Sequence, residues 1–314
     1  MADRDVTDDT TMRRVPGGTY RMGSDHFYDE ERPRRRVTVD PFRIDATPVT
    51  NRAFAAFVAA TGYRTLAELP PDPADYPGMD PAYARPGSLV FQRSAGPVPL
   101  NDPGQWWAFV FGADWRHPTG PESDIAGIED HPVVHVAWQD AEAYAEWAGK
   151  ALPTEAEWEF AARGGLEDAE YAWGDRLEPN GAVLANYWRG RFPFANQRDD
   201  GGYRTTAVGR YPANGYGLVD MIGNVWEWTR DWYAEARALT SRRPCCAIPN
   251  PRGGTRHGSF DPAQPGVRIG RRVLKGGSHL CAADYCQRYR PAARHAQMID
   301  SATSHIGFRC VVRG

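Results

Sequence analysis

The chain has 314 residues, of which 25% are charged, and its formal net charge is −3. This balance gives no global field that would attract nucleic acid or a membrane surface, and no stretch approaches the ~20 apolar residues of a membrane span. The 32 glycines and 26 prolines exceed average usage, so we expect many turns and few long regular elements.

Residues 1–12 are polar and acidic, and we expect them to be disordered. They lack the basic start and apolar run of a secretory signal peptide, so we expect a cytoplasmic protein. The five cysteines are few and odd in number for a chain of this length, which argues against a disulfide framework.

Two strands are predicted before the first helix. Residues 15–23 are typical of a turn that feeds a short strand, and the β-branched residues 37–39 predict another. The basic cluster at residues 32–36 precedes the second strand. We interpret this cluster as a solvated strand edge, with an anion-binding patch as the alternative.

The first predicted helix has clear start and stop signals. Thr50 can cap it, the apolar residues Phe54, Phe57 and Val58 recur at helical spacing, and Gly62 can end it. These aromatic side chains are therefore expected in the core.

Two further helices are predicted in the middle of the chain. One covers residues 140–147 and stops at Gly149. The other follows Thr154 and Glu157, whose spacing is that of a capping box, and runs through Phe160.

Other stretches lack regular periodicity. Residues 68–104 are rich in Pro, Gly and Asp and predict a long surface loop, and residues 166–230 are rich in turns. Residues 234–272 contain the adjacent Cys245 and Cys246, which we expect to be free thiols because neighbouring cysteines rarely bond to each other.

His131 and His135 are four residues apart, a spacing that would place them on one face of a helix. Pro132 and the neighbouring valines favour an extended segment, in which this spacing has no special meaning. We therefore do not expect this pair to bind a metal.

The strongest candidates for chemistry are Cys281 and Cys286. Basic residues lie on both sides of them, and a thiol near positive charge loses its proton more easily. The C-x4-C spacing is not the C-x2-C of structural zinc. On spacing alone, a structural disulfide, two unrelated buried thiols and a functional pair remain open.

Two segments offer oxygen ligands for calcium, namely residues 186–203 and 220–227. Neither has the spacing of an EF-hand loop, and the residues alone favour ordinary Asp/Gly turns. The sequence contains no phosphate-binding glycine loop, no Gly-x-Ser-x-Gly and no His-Glu-x-x-His.

Over residues 14–312 the chain resembles the formylglycine-generating enzymes, also called sulfatase-modifying factors. The segments that carry this resemblance are VPGGTYRMGS (15–24), HPVVHVAW (131–138), LPTEAEWE (152–159), NGYGL (214–218), GNVWEW (223–228) and IGFRC (306–310). The most specific part is the cysteine pair followed by Arg288, Tyr289, Arg290 and Arg294. The resemblance implies a C-type-lectin-like α+β fold with little regular secondary structure, formed as a single catalytic domain by residues 13–314.

The resemblance implies an oxidase that uses dioxygen as co-substrate and converts a cysteine to Cα-formylglycine. Its partner would be an unfolded or nascent sulfatase polypeptide that carries a Cys-x-Pro-x-Arg motif. Cys281 and Cys286 match the family's copper(I)-binding pair, and soft thiolates suit that ion. The other matching positions are Ser278 and Trp226 beside the oxygen and substrate sites, and Tyr285 and Arg294 in the substrate cleft.

The resemblance also implies two structural calcium ions, which reverses the interpretation of the two segments as plain turns. The first set would be Asn186, Tyr187, Asp200 and Gly202, and the second Asp220, Gly223, Val225 and Glu227. Ala145, Ala162 and Pro291 stand at cysteine positions of animal relatives, which leaves Cys310 without a partner and agrees with a reducing compartment.

Two alternative functions remain open at this point. In a metal-free thiol–disulfide mechanism, Cys286 would bond the substrate cysteine and Cys281 would resolve the bond. In the other, the domain would be a non-catalytic, calcium-dependent binding module, since lectin-like folds often only bind.

Overall fold

The computed structural model describes residues 12–197, 204–239 and 246–314, which form an α+β fold with much irregular chain. The α-helices of these residues are α1 Asn51–Thr61, α2 Trp138–Trp147 and α3 Glu155–Arg163. The strands are β1 Met12–Val15, β2 Gly18–Met22, β3 Arg35–Val39, β4 Phe42–Asp45, β5 Gly87–Phe91, β6 Trp107–Phe111, β7 Gly190–Arg191, β8 Ala195–Asn196, β9 Trp226–Trp232, β10 Ile248–Pro249, β11 Arg271–Lys275, β12 Arg294–Met298, β13 Ile306–Gly307 and β14 Val311–Arg313.

The strands pair in several small sheets. The largest described sheet has the order β12-β11-β9-β13, in which β11 is antiparallel to both neighbours and β13 is parallel to β9. Two three-stranded sheets have the orders β1-β4-β14 and β10-β3-β2, and β5 pairs with β6 as β7 does with β8. Since β1 and β14 both flank β4, the two ends of the described chain meet in one sheet.

Local sequence signals place the helices correctly. The Thr50 hydroxyl accepts a hydrogen bond from the third residue of α1 (3.2 Å), and Gly62 ends the helix in the left-handed region at φ 68°. Thr154 and Glu157 form the predicted capping box of α3. The predictions of α1 and α3 are confirmed, whereas α2 begins at Trp138, two residues before its predicted start.

The predicted loop at residues 68–104 is wrong at β5, where Val90 and Phe91 are buried. This strand forms because it pairs with β6, a partner that local composition does not reveal. Met12, predicted to be disordered, is the first residue of β1, and residues 1–11 lie outside the described part.

The basic cluster at residues 32–36 is not simply a solvated edge. Arg35 is buried, and Arg34 makes an ion pair with Asp168. The cluster therefore contributes one buried side chain and one partly exposed ion pair as well as surface charge.

Most of the core is aromatic and aliphatic and packs the three helices against β2, β3, β4 and β9. A smaller cluster lies beside the cysteine segment. Its buried members are Phe91, Trp106, Trp188, Phe192, Leu280 and Ala282. This second cluster joins the β5–β6 pair to the loop that carries the two cysteines.

Candidate active site

Two glycines turn the chain from β11 into the cysteine segment. Gly276 and Gly277 have φ of 91° and 69°, a region that favours glycine. A Cβ on Gly277 would lie 2.6 Å from the carbonyl oxygen of Arg288, and one on Gly276 would lie 3.0 Å from the ring of Trp158. The backbone can therefore fold back on itself only because these two side chains are absent.

The turn brings the two cysteines together. Their Sγ atoms are 3.3 Å apart, and both are free thiols. A disulfide would need about 2.05 Å between these atoms. Cys281 is buried and accepts a hydrogen bond from the backbone N–H of Ser278 (3.4 Å), whereas Cys286 is half-buried.

The surroundings of the two thiols shift their pKa values in opposite directions. A hydrogen bond from Cys281 and the nearby Arg288 guanidinium lower the pKa of Cys286 below its usual range. Burial raises the pKa of Cys281 well above its usual range. The first proton to leave the pair is therefore that of Cys286, and Cys281 donates its own to the resulting thiolate.

A turn from the N-terminal region holds the basic residues in place. Arg288 Nη1 lies 3.8 Å from Cys286 Sγ, and Glu30 binds the same guanidinium at 2.5 and 3.0 Å. The guanidinium also stacks on the ring of Tyr28, 3.9 Å from its centroid. The side chain is thus fixed on two sides, which keeps its charge next to the sulfur.

The thiols lie in the wall of a cavity of 560 Å³. Its lining includes Ser278, Trp226 and Tyr285, so these three predicted residues and the cysteine pair are brought together. The ring of Tyr285 stacks on Phe192 at 4.5 Å between centroids, which makes one wall aromatic. Such a concave, mostly apolar space with a few polar groups is typical of a substrate site.

Arg294 lies elsewhere. It is buried, makes a two-pronged ion pair with Glu155 at 2.7 and 2.9 Å, and donates to the carbonyl oxygens of Glu30 and Ala234. It is not among the residues that line the cavity. This placement differs from the expected role in the substrate cleft and makes Arg294 a support of the N-terminal turn.

Several cavity residues were not predicted from the sequence. His295, His305, Trp107, Leu89 and Gln297 line the same space. They come from β5, β6, β12 and the segment before β13, so no motif joins them. The adjacent Trp106 and Trp107, just after the predicted loop, were the available signal.

The first predicted calcium set is only partly described. Asn186 Nδ2 donates to the carbonyl oxygen of Arg204 and to Asn224 Oδ1, and the hydroxyl of Tyr187 bonds to Glu178. Asp200 and Gly202 lie outside the described residues. The expected ligand of Tyr187 is its carbonyl oxygen rather than this hydroxyl, and the first calcium set stays a prediction.

The second set fits calcium at one residue and not at another. Asp220 Oδ1 is buried without a hydrogen-bond partner, and an unpaired hard oxygen suits this ion. By contrast, both oxygens of Glu227 accept hydrogen bonds from Arg309 (2.8–3.0 Å), and one also accepts from Trp158 (2.7 Å). Glu227 is therefore neutralised internally, unlike the expected free ligand. The other predicted members, Gly223 and Val225, would offer carbonyl oxygens.

The remaining candidates do not form a site. His135 bonds to Ser88 and to the Pro118 carbonyl oxygen, and His131 bonds to Thr205, so the two histidines serve different contacts. Their segment is not helical, but it is not fully extended either, because His135 has a positive φ of 60°. No group of three or more His, Cys, Asp or Glu side chains suited to a metal occurs in the described residues.

The described residues hold two further cysteines, of which Cys310 is a free thiol, as expected. Cys310 is buried and Cys246 is exposed, whereas Cys245 lies outside the described residues. Within the described part, none of the helices is both long and apolar enough to cross a bilayer.

The family of the chain is shown by its sequence. The family model described as "Sulfatase-modifying factor enzyme 1-like domain" matches residues 1–314. The chain therefore belongs to the sulfatase-modifying factor family, and the resemblance drawn from its motifs is confirmed.

Two relatives of the chain are both named formylglycine-generating enzyme. The formylglycine-generating enzyme of Mycobacterium tuberculosis is 54% identical, over 96% of this chain and 97% of its own length. That of Streptomyces coelicolor is 46% identical, over 95% of this chain and 87% of its own length.

Among solved structures, PvdO from Pseudomonas aeruginosa matches with a TM-score of 0.61 over 96% of this chain and 93% of its own. At 20% identity this likeness concerns the fold alone. The α+β, C-type-lectin-like fold with little regular secondary structure is as expected.

Proposed function

We propose that this chain oxidises the cysteine of a Cys-x-Pro-x-Arg motif, in an unfolded or nascent sulfatase polypeptide, to Cα-formylglycine. Dioxygen is the co-substrate and accepts two electrons and two protons from the substrate CH2–SH group. Water then converts the thioaldehyde to the aldehyde with release of hydrogen sulfide. The observation that carries the proposal is the pair of free thiols, 3.3 Å apart, in the wall of a large cavity.

The donor set of Cys281 and Cys286 fits copper(I). Both are sulfur donors, and soft thiolates select this ion. When bound, copper(I) would supply a soft cation for the substrate thiolate and a centre at which dioxygen is activated. The lowered pKa of Cys286 favours loss of its proton, which metal binding requires.

The cavity residues position the substrate and limit water. Trp226 and the stacked Tyr285 and Phe192 form apolar walls, against which an extended peptide can pack. Ser278 Oγ accepts from the N–H of Leu280 (3.2 Å), so its own hydroxyl proton can be donated towards the cavity. That hydroxyl can therefore orient a polar atom near the thiols.

The test is turnover of a peptide that carries the Cys-x-Pro-x-Arg motif. The expected product is lighter by the difference between CH2SH and CHO, and mass spectrometry detects it. Removal of dioxygen and addition of a tight copper(I) chelator should each stop turnover. Cys281→Ala should abolish it, whereas Cys310→Ala, which alters a buried thiol outside the cavity, should retain it.

The same experiment distinguishes the copper mechanism from the two alternative functions. Since the two sulfur atoms are close, they could also form and break a disulfide with the substrate without metal. Turnover that persists with the chelator supports that mechanism. A Cys281→Ala variant with full biological function supports a non-catalytic binding module.

We further propose a calcium ion at Asp220, with carbonyl oxygens of Gly223 and Val225 as additional ligands. The unpaired buried oxygen of Asp220 supports this site. The free thiols at positions 281, 286 and 310 suit a reducing compartment, and we propose a cytoplasmic location.

A further inference from the structure

The β5–β6 pair has one face turned inward and one turned outward. On the inward face, Ser88 is buried and bonds to His135 and to the carbonyl oxygen of Ala302, and Val90 is buried beside it. Residues alternate between faces along a strand, so Leu89 and its register partner Phe109 lie on the outward face. At Phe91 this same face is buried in the second cluster, so the outward face is exposed only towards the end of the pair that holds Gly87 and Phe111.

The outward face is apolar although it is exposed. Leu89 is 38% exposed, Phe109 42% and the nearby Tyr83 56%. The ring of Phe111 joins them, at 5.6 Å from Phe109 and 6.3 Å from Tyr83 between centroids. The solvated face of an antiparallel pair is normally polar, and a continuous exposed apolar patch marks an interaction site. We name this surface the apolar ribbon: Tyr83, Leu89, Phe109 and Phe111.

Local structure explains two members of the ribbon in part. The guanidinium of Arg85 lies over the ring of Phe111, 4.3 Å from its centroid. A Cβ on Gly87 would come within 2.8 Å of Phe109 Cε1, so this ring lies over the glycine and protects the strand. Although its ring covers Gly87, the Phe109 side chain remains exposed to solvent. Neither Leu89 nor Tyr83 covers a glycine in this way.

The ribbon is continuous with the cavity. Leu89 belongs to both, and Trp107, which lies on the same face of β6, also lines the cavity. The register pair Phe91–Trp107 and the register pair Gly87–Phe111 are four residues apart along the strands. This separation is roughly 13 Å at ~3.3 Å per residue. An extended chain that leaves the cavity in this direction crosses the whole ribbon.

We infer that the apolar ribbon binds apolar side chains of the substrate polypeptide that flank the modified motif, and so selects unfolded chains. This inference rests on the proposed function. An unfolded chain exposes side chains that a folded one buries, and the ribbon offers them an apolar surface next to the thiols. A folded protein would present neither an extended segment nor its core residues.

The test compares three peptides in steady-state kinetics. One is a short peptide of the motif alone, one carries six flanking residues rich in Leu and Phe, and one carries six serine-rich residues. Extensions are made on each side of the motif in turn. For the wild-type protein, we expect the apolar extension on one side to lower KM by about tenfold relative to serine, which corresponds to about 1.4 kcal/mol.

The variant is Phe109→Thr combined with Phe111→Thr, because threonine keeps the β propensity of the strand. Neither residue lines the cavity, so kcat and KM for the short peptide should stay unchanged, and the KM ratio of the extended peptides should fall to near one. Leu166→Thr, which alters an exposed apolar residue in the turn after α3, should keep the tenfold ratio.

Equal KM for the apolar and serine extensions, with the short peptide turned over normally, overturns the inference alone. Failure to convert the short peptide counts against the proposed function, and anisotropy of labelled extended peptides then tests the ribbon separately. If the ribbon instead pairs two copies of this chain, sedimentation will show a dimer that the double variant dissociates while the KM ratio remains. That result also overturns the inference.

Discussion

The guanidinium of Arg288 lies 3.8 Å from the sulfur of Cys286, and a carboxylate 258 positions away in the chain, that of Glu30, holds it there. The thiol pair thus depends on an ion pair between the two ends of the chain. The N-terminal turn also binds Arg290 through Glu31 and receives a hydrogen bond from Arg294. The cysteine segment is therefore held in place by side chains and backbone from a distant part of the chain.

Replacement of Arg288 tests its effect on the thiol. Arg288→Gln removes the positive charge that helps lower the pKa of Cys286, so we expect this pKa to rise by roughly one unit. Because the thiolate is the reactive form, alkylation of Cys286 by iodoacetamide in metal-free protein should begin at higher pH. Arg288→Lys keeps the charge and should shift the profile less. Identical profiles for all three proteins would contradict this role.

Gly277 and Gly62 form a matched pair for testing the turn. Their φ angles are 69° and 68°, but a Cβ on Gly277 would meet the Arg288 backbone at 2.6 Å, whereas one on Gly62 meets nothing within 4 Å. Both alanine variants should lose about 1 kcal/mol of stability through backbone strain. Only Gly277→Ala should also displace the thiols and weaken copper(I) binding, measured by competition with a chromophoric chelator. Equal copper affinity in the two variants would show that the turn does not position the thiols.

Asp220 is expected to link pH, calcium and stability. Burial raises its pKa to about 6, so in calcium-free protein the ionised form is disfavoured in the folded state. The stability that depends on a neutral Asp220 is present in full below the pKa of the unfolded chain, about 3.9. It is lost as pH rises through the pKa of the folded protein, about 6. Asp220→Asn should therefore stabilise calcium-free protein above pH 6 and reduce the stabilisation by added calcium. Urea unfolding at pH 4 and pH 7, with calcium and with a chelator, measures both effects. An unchanged calcium response would exclude Asp220 as a ligand.

Replacement of Arg309 tests whether its buried ion pair with Glu227 stabilises the fold. Both side chains are fully buried, so Arg309→Met leaves an uncompensated carboxylate and should cost about 3–5 kcal/mol. The double change Arg309→Met and Glu227→Gln removes both charges and should recover part of that loss. If the single and double variants unfold at the same urea concentration, the two charges are not coupled.

Local signals in the sequence were sufficient for α1 and α3, for all but the first two residues of α2, and for singling out the candidate thiols. Capping residues and helical spacing act within a few positions, and α1 and α3 follow them. The strand β5 could not be predicted, because its hydrogen bonds come from β6 beyond a long irregular stretch. Likewise, Arg294 stood next to the cysteine segment in sequence, yet its charge is directed to Glu155 on α3.

The sequence by itself determined the family and the limits of α1 and α3, and it singled out two candidate thiols, since each of these depends on residues that are close together in the chain. Tertiary structure alone decided that the thiols are 3.3 Å apart, that Arg288 faces one of them and that an apolar ribbon leads away from the cavity. These relationships join β5, β6, an N-terminal turn and the loop after β11. Contacts between segments so far apart in sequence depend on the packing of the whole domain, and no local pattern encodes them.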